Sequence, residues 1–591
     1  MENKIYFRAI LLIIIFGVFI LLSFLRLVAS PLWGITNKNW SIRIPPKRGS
    51  ILDKDGRILA SDTYVYRAYL DLSFLRRVYE SSDRGTKIEI EREIYLLTNL
   101  KIDEVFSKGD FLFLGQSKDK TDLISKIPPT ILKFVNISMS MVRKRTEASS
   151  LPTILGKVID RKGIGGIEEY YDSVLRGKRA GKIVLKYTGF VSLQPTIEEF
   201  VPPVNGSDVT LSIDMDVQRV LYEDILKAVK SSSAVSGNAI LMESKTGKIL
   251  AMVTTSSWND NVLGYIEPGS TIKPVIYSIA LQTKAASPAF HHNCTGRIKP
   301  VEKLNIFIRD IRPHGEVDME KALVVSCNTA TVKIAKIIRD KIGIAGFYKW
   351  LRKFGFGEKT GIEIPGESAG LLRDPKHWSA IDFAEVSIGQ GIGVTPLQLI
   401  SAINTVVNGG VYVKPSLDLN SPVKKRRVID EKVADTIRRF MVQVVEHGTG
   451  ERAKIPGLKI AGKTGTAQKA VGGKYVKRYH SIFIGAFPAD DPKYILLVHI
   501  DDPKGEYLGG DVAAPVFAKM VLDMLGMKEK KPLIIYKNVV PDLINLSMKD
   551  VLTVAKILGL DVKIHGSGTV KRQLPPPGTI APKGIEVWMS N

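Results

Sequence analysis

Apolar and polar positions divide the chain into stretches of different period. Residues 9–25 carry no charge, and 27–29 extend the run past Arg26, approaching the roughly 20 residues that a membrane-crossing helix needs. The apolar region of a cleaved signal peptide is shorter and ends at a small-residue site, whereas here Arg26 interrupts and Pro31 follows. The pattern predicts a retained anchor over 9–29 behind a tail of 1–8. Lys4 and Arg8 precede it, and Arg26, Lys38, Arg43, Lys47 and Arg48 follow, so charge alone does not orient it.

Beyond the anchor, residues 48–60 alternate around Asp55-Gly56, a strong hairpin signal that predicts a β-rich segment. Gly165-Gly166-Ile167-Glu168 opens a helical stretch to Leu175. No constellation of titratable residues stands out across 30–205, which reads as a structural or docking pedestal. Residues 206–214 read as a strand leading into an amphipathic helix from Val217 to about Val229, and a new domain over 206–528 begins there. Apolar strands at 238–242 and 249–253, long helical stretches, and strands at 481–487 and 494–500 predict a mixed sheet with helices packed on it. The charged stretch 528–532 then links to a small α+β module over 535–591. There Ser547 caps a helix with Asp550 three residues on, Val551, Leu552, Ala555 and Leu558 share a face, Gly559 stops it, and strands flank Pro575–Pro577.

A chain of 591 residues is too long for one core, in keeping with this division. Its net charge of +24 would suit a polyanion. Lys and Arg are nevertheless spread along the whole length, with no zinc-finger spacing, aromatic RNA-binding signature or basic block of five or more residues, so a basic solvated surface is expected and no nucleic-acid partner. Two cysteines, Cys294 and Cys327, cannot build a disulfide framework or a CxxC metal site. No metal or cofactor is expected.

The chemistry lies in three separated motifs. Glu267-Pro268-Gly269-Ser270-Thr271-Ile272-Lys273-Pro274 opens an apolar helix to about Leu281. Ser270 and Lys273 then share one helical face, within reach of proton transfer from the hydroxyl to Lys273 Nζ. Alone, Ser-x-x-Lys is a common pattern that also fits a surface helix start. Ser326-Cys327-Asn328, between helical stretches 320–325 and 329–338, and Lys463-Thr464-Gly465-Thr466, ahead of a glycine-containing loop and strand, complete a triple signature. Ser326 can relay a proton to a leaving amine, and Asn328 can hold Lys273 and a substrate amide. Lys463 with the Thr464 and Thr466 hydroxyls can receive a carboxylate, and the Ser270 and Thr466 N–H groups can form an oxyanion hole. Lys273 must be neutral to act as a base, and burial and the Lys463 cation would both lower its pKa.

Two look-alikes compete. Lys359-Thr360-Gly361 sits between Phe354-Gly355-Phe356-Gly357 and Pro365, a loop and not the edge strand the role requires. Gly457 to Thr464 matches the phosphate-binding pattern GxxxxGK[ST]. Pro456 precedes it, 458–461 reads as apolar strand, and no helical period follows, so no ATP site is expected.

These motifs resemble those of class B penicillin-binding proteins of the FtsI type. The resemblance covers nearly the whole chain: 48–60, 165–175 and 206–218 resemble the family's ectodomain start, pedestal and transpeptidase entry. Ser387-Ile388-Gly389-Gln390-Gly391 with Thr395-Pro396-Leu397-Gln398 resembles the loop and helix bordering its active site, and 540–590 resembles a PASTA domain. It implies an α+β protein with one transmembrane helix, a β-rich pedestal, a serine β-lactamase-like transpeptidase domain with helices on both faces of an antiparallel sheet, and a PASTA module. Catalysis would fall to Ser270, Lys273, Ser326, Asn328 and Lys463, and substrate binding to Thr464, Gly465, Thr466, Gly389 and Gln390.

Further implications are a bacterial cytoplasmic-membrane location with the catalytic domain outside, at the division septum, and D,D-transpeptidation of stem peptides ending in D-Ala-D-Ala. β-Lactams would acylate Ser270, and an FtsW-type glycan polymerase and other divisome proteins would be partners. No glycosyltransferase motif precedes Gly206. No Glu-x-x-Leu-Asn follows Ser326, so the acyl-enzyme should be long-lived. The rival readings are a β-lactam or muropeptide receptor or divisome scaffold without turnover, an elongation-type transpeptidase, and a D,D-carboxypeptidase.

Overall fold

The computed structural model describes residues 17–24, 39–146, 150–186, 196–472, 474–526 and most of 540–590. Residues 17–24 are helical. The rest of the span expected over 9–29 lies outside the described residues, among which no helix is long and apolar enough to cross a membrane.

The chain divides into two compact units, one of 1–49 and 174–207, the other of 50–173 and 208–591. The described part of the first is an antiparallel sheet in the order Asn39–Ile44, Gly181–Lys186, Thr196–Val201.

In the second unit the hairpin expected around Asp55-Gly56 joins Ile51–Leu52 to Ile58–Asp71. The long strand Ile58–Asp71 pairs with both Phe111–Ser117 and Val135–Arg145. Its turn is organised by Asp53, whose fully buried carboxylate accepts the Arg57 N–H at 2.8 Å and Arg57 Nε at 2.6 Å. Arg57 Nη1 also reaches Asp216 at 2.9 Å, in the first turn of the helix Met215–Ser231. A second network crosses the pedestal: Arg143 Nε donates to the fully buried Glu168 at 2.7 Å and Nη1 lies 3.4 Å from Asp62. The pedestal therefore does contain titratable constellations, contrary to the sequence reading. Arg143 lies 25 residues from Glu168 and 81 from Asp62, too far for a local pattern to reveal. The helical stretch expected to Leu175 is two short helices, Gly166–Tyr170 and Asp172–Leu175.

The largest sheet is antiparallel in the order Ile249–Thr254, Ser236–Glu243, Tyr494–Asp501, Lys474–Phe487, Ala461–Val471. Strand side chains alternate between faces. Ala239, Leu241, Val498 and Phe483 meet Leu221 and Ile225 of the helix Met215–Ser231 and Phe517 and Met520 of the helix Ala513–Gly526. Ile240 and Met242 take the opposite face, where the wholly buried helix Pro396–Val407 packs. Two boundaries differ from expectation. The apolar residues 458–460 precede the strand, which starts at Ala461, because Ile455 and Leu458 close a turn. The strand carrying Thr466 runs on to Val471, held by its ladder with Lys474–Phe487, so the expected glycine-containing turn comes only at Gly472.

In the C-terminal module Gly584–Ser590 lies between Asp561–Gly566, parallel to it, and Thr569–Leu574, antiparallel. Val540, Val551, Val570, Ile585 and Val587 form its core. The expected cap Ser547, with Asp550, Leu558 and Gly559, lies outside the described residues.

Candidate active site

Ser270 sits in the tight 3-10 turn Gly269–Ile272, and the α-helix Lys273–Gln282 continues from it. Two close approaches hold the turn. Gly269 has φ +52°, and a Cβ there would lie 2.8 Å from Thr466 O. A Cβ on Gly389 would lie 2.1 Å from Gly269 O, and Gly269 N–H donates to Gly389 O at 3.0 Å. The loop carrying Gly389 and Gln390 is therefore backbone-packed against the Ser270 turn. Gln390 enters only as the neighbour, with its N–H bonded to Glu385 O.

Lys273 is fully buried, with Nζ 2.6 Å from Ser326 O, 2.7 Å from Asn328 Oδ1 and 3.3 Å from Ser326 Oγ. Lys463, also fully buried, places Nζ 3.0 Å from Ser326 Oγ and 3.1 Å from Thr464 O. Ser326 thus stands between two lysines, and it does so at φ +57°, a left-handed conformation unusual for a non-glycine residue. Burial lowers Lys273 to about 8, against the opposing pull of Asp310 and Cys327. Lys463 is pushed well below the ordinary lysine value, by burial first and then by the Lys273 cation. Both amines are therefore held below the ordinary lysine value, with burial the first cause in each.

The motif strand Ala461–Val471 is an edge strand, with one neighbour in the sheet. Pleating turns Lys463 and Gly465 toward the Ser270 turn, where a Cβ on Gly465 would meet Thr271 Cγ2 at 2.7 Å. Thr464 and Thr466 alternate with them, yet Lys463 Nζ still reaches Thr464 Oγ1 at 3.3 Å. Thr464 Oγ1 lies 2.7 Å from Thr449 Oγ1, and Thr466 Oγ1 accepts from Gly509 N–H at 2.9 Å.

Thr449 and Gly509 were not legible as site residues, and neither was Asp310. Its carboxylate accepts the Asn328 N–H at 2.5 Å and the Thr329 N–H at 3.0 Å, capping the helix Asn328–Lys353 and fixing Asn328. Asp310 belongs to none of the three motifs. Neither look-alike has the geometry its pattern requires: Thr360 and Gly361 N–H groups bind the Glu367 carboxylate at 2.7 and 2.8 Å, and Gly462 to Thr464 lie within a strand that no helix follows directly.

A half-buried serine at a helix start, two buried lysines sharing a hydroxyl, and an edge strand define a site suited to serine acyl transfer. Comparison with known proteins agrees. Residues 237–522 match the penicillin binding protein transpeptidase domain, 43–211 the penicillin-binding protein dimerisation domain and 538–591 the PASTA domain. Peptidoglycan D,D-transpeptidase FtsI of Escherichia coli (strain K12) is 30% identical over 83% of this chain and 85% of its own length. Stage V sporulation protein D of Bacillus subtilis (strain 168) is 28% identical over 98% and 96%. A peptidoglycan synthetase from Bifidobacterium adolescentis superposes with TM-score 0.62 at 26% identity, covering 84% of this chain and 97% of its own. The chain belongs to the class B penicillin-binding proteins, the family of FtsI, PenA and stage V sporulation protein D, and is a serine-type peptidoglycan D,D-transpeptidase.

Proposed function

We propose that this chain cross-links stem peptides during septal wall synthesis through an acyl-enzyme at Ser270. The observation that carries the reading is the meeting of Lys273, Ser326, Asn328 and Lys463 within hydrogen-bond distance beside the Ser270 turn. Ser270 Oγ attacks the penultimate D-Ala carbonyl carbon, and its proton passes to neutral Lys273 Nζ. A neutral amine has two N–H groups. The carbonyl of Ser326 and the Asn328 amide oxygen, at 2.6 and 2.7 Å, can take both and leave the lone pair for the hydroxyl proton.

Ser270 and Thr466 N–H groups stabilise the developing oxyanion. Collapse breaks the C–N bond to the terminal D-Ala, whose nitrogen takes a proton through Ser326 Oγ. An amine of a neighbouring stem peptide then attacks the ester and frees Ser270. The terminal carboxylate of the donor lies by Lys463, Thr464 and Thr466, where its charge favours protonated Lys463. The Gly389-Gln390 loop borders the cleft, with Gly465 keeping the strand close to the turn.

β-Lactams mimic the donor and acylate the same serine. Related support is the mycobacterial fold neighbour, penicillin binding protein 3 from Mycobacterium tuberculosis complexed with aztreonam, at TM-score 0.61 and 24% identity. The septal role, an FtsW-type polymerase partner and a single N-terminal anchor holding the domain outside the cytoplasmic membrane rest on the FtsI relatives and the apolar run 9–29. The sporulation relative is the observation favouring a second reading, a transpeptidase of another wall-building programme.

Fluorescent penicillin should label wild type and not Ser270→Ala, and the purified protein with its polymerase should form cross-linked muropeptides. Labelling that survives Ser270→Ala would overturn the assignment. Labelling without cross-links would favour the receptor or scaffold, and release of D-Ala without cross-links a carboxypeptidase. A fluorescent fusion absent from division sites would remove the septal role.

A further inference from the structure

Behind the second motif the structure gathers four side chains that the reaction does not use as reacting groups: Cys294, Asp310, His314 and Cys327. Their ligand atoms all lie within 4.8 Å of one another. Cys294 Sγ is 3.4 Å from Asp310 Oδ2 and 3.4 Å from His314 Nδ1, and Cys327 Sγ is 3.5 Å from Asp310 Oδ2. Tetrahedral zinc, with bonds of about 2.3 Å to sulfur and about 2.0–2.2 Å to nitrogen and oxygen, has ligand-to-ligand edges of roughly 3.4–3.8 Å. Three edges of the cluster are already at that spacing. Both sulfurs are buried, which suits a closed structural site with no open position.

We propose that Cys294, Asp310, His314 and Cys327 bind one zinc ion that fixes the second catalytic motif in place. The set supplies two soft thiolates, an imidazole and a carboxylate, which zinc accepts and the harder magnesium and calcium ions do not. The ligands come from elements that are themselves paired. Cys294 ends the strand His291–Cys294, whose partner strand Gly315–Asp318 directly follows His314. Asp310 follows the strand Ile308–Arg309, and its N–H donates to Gly296 O at 2.9 Å. Cys327 caps the helix Asn328–Lys353. The Asp310 oxygens also accept the Asn328 and Thr329 N–H groups, the kind of outer hydrogen bonding that orients a ligating carboxylate.

Binding replaces two thiol protons, released to solvent, with one dication, so the net charge of the cluster is unchanged. Its effect on Lys273 is therefore positional. Cys327 lies between Ser326 and Asn328, the residues that bond Lys273, and fixing its sulfur fixes both neighbours. No CxxC spacing marks the site in the sequence, because its four ligands are spread over residues 294–327 in three chain segments. The site stands whether or not Ser270 is the nucleophile.

The test uses full-length protein purified without chelator. Elemental analysis should find about one zinc per chain, lost in Cys294→Ser and in His314→Ala. Should those variants not fold, wild type stripped of metal and titrated with cobalt should show a thiolate-to-cobalt charge-transfer band and tetrahedral ligand-field bands. Removing zinc should lower Tm by roughly 10 °C, restored by zinc and not by magnesium, and should slow penicillin acylation about tenfold. Protein without metal whose two thiols remain free, meaning a hydrogen-bonded cluster only, would overturn the proposal. So would a mass two hydrogens lower with no reactive thiol, meaning a disulfide, or zinc retained unchanged in both variants.

Discussion

Lys463 Nζ lies 3.0 Å from Ser326 Oγ, although 137 residues separate them in the chain. With Lys273 Nζ 3.3 Å from the same oxygen, one hydroxyl joins the amine in the helix after Ser270 to the amine on the edge strand. Ser326→Ala removes that junction. Penicillin acylation of Ser270 should fall by about 10²–10⁴-fold, while Tm changes little because the alanine methyl needs no new space. Stopped-flow acylation and thermal melting check the pair. An unchanged acylation rate would exclude Ser326 from proton transfer.

Burial holds Lys273 at about 8, and the base must be neutral. Acylation should therefore rise with pH up to about 8 and level off above it. A rate constant flat from pH 6 to 10 would rule out Lys273 as the base.

The same burial makes stability depend on pH. From about 8 to the unfolded value of 10.5, the unfolded chain carries a proton on this lysine that the folded chain lacks. Stability should accordingly increase with pH across that window. Below about 8 both states are protonated and the contribution stops changing. Lys273→Met should flatten the part of the Tm-against-pH slope that this residue supplies.

Gly465 is needed for the close approach of the edge strand to the Ser270 turn. An alanine Cβ there would lie 2.7 Å from Thr271 Cγ2 and 2.9 Å from Pro268 O, displacing the turn from the strand. Gly465→Ala should slow acylation about 10²-fold through misplacement of Ser270. Gly264→Ala, whose nearest neighbour would be at an ordinary 3.6 Å, serves as the control and should leave the rate unchanged.

In the pedestal, Arg143→Leu removes the guanidinium that compensates the fully buried Glu168 carboxylate at 2.7 Å. Loss of one partner of a buried ion pair costs about 3–5 kcal/mol. Denaturant or thermal unfolding should show a loss of that order, and Arg143→Lys should recover part of it. A loss under about 1 kcal/mol would show that the network is dispensable.

The sequence by itself determined the local elements and the residue types of the three motifs. The Asp55-Gly56 hairpin, the long helices, most strands of the large sheet and the helix start at Ser270 all follow from period, turn chemistry and spacing, which act over a few residues. Residues 269–273, 326–328 and 463–466 were recognisable because each motif is contiguous, and the look-alike at 359–361 because its flanking glycines and proline mark a loop.

Only the tertiary structure decided what depends on contacts between distant segments. It brought Lys463 to Ser326, lowered both lysines by burying them, and kept 467–471 in a strand through its ladder. It also recruited Asp310, Thr449 and the Arg143 network, which belong to no local pattern. Burial, desolvation and hydrogen-bond partnership are properties of the assembled packing, and no window of the chain encodes them.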